Sequence, residues 1–129
     1  MSKVVVLDSS ALLCVLNGEA GAERVVQALP SAVIGAVNLA EVVTKLRERG
    51  LSVEEVEEVL GGLPFDVRPL TSAQAHAIGH LRPATRAFGL SLGDRACLAL
   101  AAELGLPALT ADQAWSGLDI GVQVELIRG

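Results

Sequence analysis

The sequence predicts an α/β fold: a three-layer α/β/α sandwich around a central, mainly parallel sheet of about five short strands. Three observations carry this. Short apolar runs alternate along the chain with segments of helical periodicity, as they do when parallel strands are joined by helical crossovers. The first run is apolar at every position, as expected of a strand covered on both faces. The chain has 129 residues, 51% hydrophobic and 19% charged. That suffices for one domain with a real core, residues 1–129, and not for two.

Val4–Leu7 is the first strand. Ser9–Leu16 reads as a helix that stops at Asn17-Gly18. Glu19–Leu29 is a second helix ended by Pro30, and Ala32–Gly35 is the second strand. Leu39, Val42, Val43 and Leu46 recur at i, i+3, i+4 and i+7, an amphipathic helix that runs to Gly50. Val53–Leu60 forms another, with Val53, Val56 and Leu60 inward and Glu54, Glu55, Glu57 and Glu58 outward. This helix pair is an unusual insertion between two strands. Phe65–Leu70 is the third strand and Ser72–His80 a helix. Pro83 breaks or kinks the chain after that helix, opening a new turn to Phe88. Asp94–Leu104 is apolar on every side and reads as a buried helix. Pro107–Thr110 and Val122–Ile127 complete the sheet.

Composition excludes several classes. The longest apolar run, Ala96–Ala102, has seven residues, and a membrane span needs about 20. Asp8 interrupts the apolar start, against a secretory signal. Cys14 and Cys97 lack zinc-site spacing and sit among apolar neighbours, as reduced core thiols of a cytoplasmic protein do. Phe65, Phe88 and Trp115 are the only aromatics, so base stacking is not a main device; Trp115 reads as a packing residue. His76 and His80 read as a solvated pair on one helical face. No phosphate-binding Gly-x-x-x-x-Gly-Lys-Ser/Thr loop is present. A receiver-type signalling module would need an Asp at the end of the third strand and a late Lys. This strand ends at Thr71, and the only lysines are Lys3 and Lys45.

Four acids stand where ligands bind in open α/β sheets, beyond the carboxyl ends of the strands. Asp8 follows the first strand and Asp112 the fourth. Glu41 lies in the first turn of the helix after the second strand, and Asp94 opens the buried helix. Ionised together in one pocket they repel, and a hard divalent cation relieves that repulsion. Each acid also has an ordinary use. Asn38-x-x-Glu41 and Ser91-x-x-Asp94 both match a capping box. Glu41 and Lys45 form a helix pair, Asp8 can cap the first helix, and Asp112 can serve a turn.

Val6-Leu-Asp-Ser-Ser-Ala-Leu, Asn38-Leu-Ala-Glu-Val, Gly89-Leu-Ser-Leu-Gly-Asp-Arg-Ala and Leu109-Thr-Ala-Asp occur in an order and spacing that covers nearly the whole chain. This set resembles the PIN-domain nucleases, specifically the VapC-type toxins of toxin–antitoxin pairs. The resemblance implies a PIN-like sandwich and a Mg²⁺- or Mn²⁺-dependent endoribonuclease. Asp8, Glu41 and Asp94 match the family's metal ligands. Asp112 matches a fourth acid that assists a second ion or orients water. Ser9, Asn38 and Thr110 match hydrogen-bonding positions at the same site. Arg82 and Arg86, upstream of Asp94, are candidates for phosphate contact. The resemblance further implies a homodimer inhibited by a cognate antitoxin, with operator DNA met only through that antitoxin. A catalytically silent PIN scaffold is the alternative, against which the four intact acids speak.

The net charge of −5 weighs at first sight against a nucleic-acid partner. Setting aside the four site acids and the four glutamates on one helix face leaves ten basic residues against seven acidic ones. The balance of the remaining surface is positive.

Overall fold

The computed structural model describes residues 2–128. Their elements run β1 (Val5–Leu7), α1 (Ser9–Leu16), α2 (Ala22–Ala28), β2 (Ala32–Gly35), α3 (Ala36–Glu48), α4 (Val53–Gly61), β3 (Asp66–Arg68), α5 (Ser72–His80), α6 (Arg82–Thr85), α7 (Leu92–Leu104), β4 (Ala108–Thr110) and β5 (Val124–Leu126). The strands form one sheet in the order β3-β2-β1-β4-β5. Every pairing is parallel, with Val6 opposite Val33 and Ala108.

Strand alternation divides the core in two. Val5, Leu7, Ala32, Ile34 and Leu109 point to one face, where Ala11, Leu12, Val25, Val42, Leu46 and Val56 of α1–α4 cover them. Val6, Val33 and Ala108 point to the other, against Cys97, Leu98, Leu100 and Ala101 of α7 and against Trp115. Ile78 of α5 packs on Ala96 and Ala99, which closes that outer layer. This is the three-layer arrangement expected from the alternation of strands and helices, with the sheet wholly parallel.

The boundaries shift for local reasons. The second helix starts at Ala22, because Gly21 holds a left-handed φ of 95° at its N-cap. A side chain at Gly21 would overlap Ile127 Cγ2, so the chain turns here at a point of close approach. Pro30 does not stop the chain abruptly; Leu29–Ser31 adds a 3-10 turn. The buried helix begins at Leu92, two residues early, because Ser91 is its cap. It is not buried all round: Leu92 is 61% exposed, and Ala102 and Glu103 also face out. Strand β3 is short, exposed at every residue, and lies at the sheet edge. Val53 faces solvent, whereas Val56 is buried as expected. The pair α3 and α4 does stand between β2 and β3. No helix among the described residues is long and apolar enough to cross a membrane.

Candidate active site

From β1 the chain builds outward through β2 and β3, then returns to lay β4 on the other side of β1. The crevice of such a sheet opens at that switch, outside the carboxyl ends of β1 and β4. Asp8 is the first residue past β1, and Asp112 stands two past β4. Helices α3 and α7 pack on one another and present Glu41 and Asp94.

Asp8 is only 3% exposed. It occupies the N-cap position of α1 without making a side-chain cap bond. Its Oδ2 instead accepts from Ser10 Oγ at 2.6 Å and Thr110 Oγ1 at 2.8 Å. Those hydroxyls accept in turn from the backbone N–H of Ala111 and Asp112, both at 3.0 Å. Loss of water drives the Asp8 carboxyl up to about 6. The Ser10 and Thr110 hydroxyls oppose the rise, the negative charge of Asp94 adds to it, and the Ser9 backbone N–H lowers it.

Glu41 Oε1 accepts from Ser9 Oγ at 2.5 Å and from Asn38 Nδ2 at 3.1 Å. Asn38 is fully buried. Its Nδ2 also lies 3.1 Å from Ser9 Oγ and 2.9 Å from the Gly93 carbonyl, tying α1, α3 and α7 together. The Asn38 capping box is not formed. Helix α3 begins directly after β2 with Gly35 at its N-cap, which places Asn38 inside the helix and Glu41 in the second turn. Lys45 pairs with Glu48 at 3.5 Å, not with Glu41.

Asp94 does form its capping box. Its Oδ2 accepts from the Ser91 N–H at 2.8 Å, and its own N–H donates to Ser91 Oγ at 3.2 Å. Burial raises its carboxyl above the ordinary value; the Ser91 bonds lower it, and the charges of Asp112 and Glu41 raise it further. Asp112 Oδ1 accepts from the Ala114 N–H at 2.9 Å and so caps a 3-10 turn over Gln113–Trp115. Cys97 lies fully buried, and burial pushes its thiol well up. The charges of Asp8, Asp94 and Glu41 add to that rise, so all three acids act on one point of the core.

Two features define what the site can hold. Asp8 Oδ2, Glu41 Oε1, Asp94 Oδ2 and Asp112 Oδ1 take the hydrogen bonds given above, so each carboxylate is held mainly through one oxygen. Among the described residues, no ion pair involves any of the four acids. An all-oxygen donor set of uncompensated charge suits a hard divalent cation. Among the described residues no three Asp, Glu, His or Cys side chains are gathered closely enough to ligate one ion together. A cation held here would keep part of its water shell, as Mg²⁺ does in carboxylate sites that also take a substrate phosphate.

The other expected residues divide. Thr110 joins Asp8, and Ser9 and Asn38 join Glu41. Arg82 is exposed and reaches the Leu90 carbonyl at 3.4 Å, on the segment leading into Ser91. Arg86 is exposed on the following 3-10 turn. Neither pairs with a site acid. His76 and His80 are exposed, their rings 6.3 Å apart. Trp115 is a packing residue, fully buried. Two residues of the site lie within the sequence motifs but are not among the expected site residues. Ser10, the second serine of Asp8-Ser-Ser, is the one that holds Asp8; helix rotation separates it from Ser9. Gly93 lies against the Glu41 carboxylate, which no spacing rule reveals.

A family model described as "PIN domain" matches residues 5–120. A search of curated proteins returned no match. Among solved structures, the chain is similar to one described as a toxin-antitoxin complex from Klebsiella pneumoniae, with TM-score 0.75 and 20% identity over 96% of this chain and 98% of that one. It is also similar to DNA-bound VapBC from Salmonella typhimurium, with TM-score 0.75 and 20% identity over 99% and 100% of the two chains. FitAcB from Neisseria gonorrhoeae is similar too, with TM-score 0.72 and 18% identity over 96% and 98%. At these identities the likeness is one of fold.

Proposed function

The chain belongs to the PIN-domain family, and from that premise we propose that it is a divalent-metal-dependent endoribonuclease, a toxin of the VapC type held in check by a cognate antitoxin. The observation that carries the activity is the set of four carboxylates at the switch point, each held mainly through one oxygen and none with a basic partner among the described residues. The similarity to structures described as toxin–antitoxin and DNA-bound VapBC complexes supports the antitoxin partner. A homodimer, with operator DNA reached only through the antitoxin, completes the reading.

Mg²⁺ or Mn²⁺, when bound, supplies neutralising charge, activation of water and stabilisation of charge on the scissile phosphate. Asp8, Glu41 and Asp94 are the residues that would hold it, directly or through its bound water, and Asp112 would assist or orient water. Ser10 and Thr110 fix the Asp8 carboxylate from one side, so its other oxygen points in one direction. Ser9 and Asn38 do the same for Glu41, and the Ser91 N–H for Asp94. No nucleophilic side chain is needed, because water is the attacking group. Arg82 and Arg86, unpaired with the acids, are available to RNA phosphates.

Asp94→Asn and Glu41→Gln preserve shape while removing charge. With purified protein, RNA and Mn²⁺, each variant is expected to lose about 10²–10⁴-fold of the cleavage rate, since such a metal contributes several kcal/mol to the transition state. Circular dichroism of both variants should match the wild type. Cleavage at the wild-type rate in both would overturn the assignment, and a wild type that never cuts would support a silent scaffold instead.

A further inference from the structure

Gly93 stands at the second position of α7, buried, with a backbone φ that any residue adopts. A helix gains nothing from glycine there, since glycine is among the weakest helix formers. The space where its Cβ would lie is already taken. An ideal Cβ at Gly93 overlaps Oε1, Oε2 and Cδ of Glu41. The missing side chain is thus matched by the carboxylate of a residue from another helix. Oε1 cannot step aside without cost, because Ser9 Oγ and Asn38 Nδ2 both hold it. Asn38 Nδ2 also binds the Gly93 carbonyl at 2.9 Å, so one amide fixes both the glycine and the glutamate.

The geometry points to Gly93 as a positioning residue: its lack of a side chain is what lets the Glu41 carboxylate lie against the first turn of α7, beside Asp94. The inference rests on the cation-binding reading of the four acids and adds to it the residue that sets the approach of two of them. Any side chain at 93 pushes Glu41 out of its cradle, breaks its bonds to Ser9 and Asn38, and changes its spacing from Asp94. The neighbour that must give is the far end of a flexible side chain, so the helix itself need not move.

The test is Gly93→Ala, Glu41→Asp and the double variant, measured without metal by thermal unfolding and with Mn²⁺ by equilibrium titration. Gly93→Ala is expected to fold but to melt somewhat below the wild type, since Glu41 gives up its bonds to Ser9 and Asn38, and to bind Mn²⁺ about 10–100-fold more weakly, the usual loss when a ligand's support is disturbed. Glu41→Asp alone also weakens Mn²⁺. In the double variant the shorter acid withdraws from the overlap, so the two losses do not add, and binding is no weaker than in Gly93→Ala alone. Wild-type affinity in Gly93→Ala, or losses that add in the double variant, would overturn the positioning role while leaving the metal site intact. Should Gly93→Ala fail to fold, Glu41→Asp in the same chain must restore folding; failure to do so overturns the inference. A wild-type chain that binds no Mn²⁺ overturns the underlying reading, and this one with it.

Discussion

Asp8→Asn is expected to abolish RNA cleavage and, in the absence of metal, to make the protein more stable. The two effects have one cause. Asp8 is buried and its folded carboxyl titrates at about 6, against an ordinary value of 3.8. A carboxyl raised on folding binds its proton more tightly in the native state. The stability from that proton is fully present below pH 3.8 and is lost as pH rises through 6. Above pH 6 the ionised form costs the folded protein about 3 kcal/mol, from the difference of the two values. The amide variant carries no charge, and its carbonyl still accepts from Ser10 and Thr110. Urea denaturation at about pH 7.5 without metal should show a gain of about 1–3 kcal/mol, shrinking toward zero at about pH 4. Added Mn²⁺ should raise the wild-type midpoint and leave the variant's unmoved. Because Mn²⁺ competes with the Asp8 proton, the Mn²⁺ concentration needed for half-maximal binding should rise as pH drops below about 6. A variant less stable than wild type at the higher pH would show that Asp8 serves the fold and not a cation.

Trp115→Ala is expected to cost about 3–5 kcal/mol, a large part of a typical stability of about 5–15 kcal/mol. Trp115 is fully buried against Val6, Val33 and α7, on the face that carries Asp94. Its ring nitrogen has no hydrogen-bond partner among the described residues, so Trp115→Phe loses only packing and should cost clearly less. The ring also anchors the 3-10 turn whose cap is Asp112. Trp115→Ala should therefore lower cleavage beyond the loss of folded protein, measured at a temperature where the variant remains native. Equal urea midpoints for the alanine and phenylalanine variants would contradict this role for the ring.

The parallel sheet and its sandwich are legible in the sequence because the chain alternates strand and helix periods with few exceptions. Val4–Leu7 and Ala32–Gly35 read as strands because they are apolar throughout, and both are central. The edge is less clear: β3 is exposed on all three residues, so burial imposes no apolar pattern on it. Val53 lies outside the core, against the expectation from spacing; it is the first residue of α4, and only Val56 and Leu60, further along the same stripe, pack on the core. Capping explains a pair of opposite outcomes. Ser91-x-x-Asp94 follows a loop and forms its box; Asn38-x-x-Glu41 sits within a helix that starts straight from β2, so the same spacing serves a tertiary bond. At the site, acids at strand ends are legible from topology alone. The supports of those acids are not. Ser10 and Gly93 matter through contacts with Thr110 and Glu41, partners far away in the chain, which no local period records.

The most direct measurement is cleavage of RNA by the purified chain in EDTA, followed by return of excess Mn²⁺. If the four acids hold a catalytic cation, there is no cleavage in EDTA, recovery on adding Mn²⁺, and no recovery for Asp8→Asn. Cleavage that continues in EDTA, or that Asp8→Asn performs at the wild-type rate, would contradict that claim.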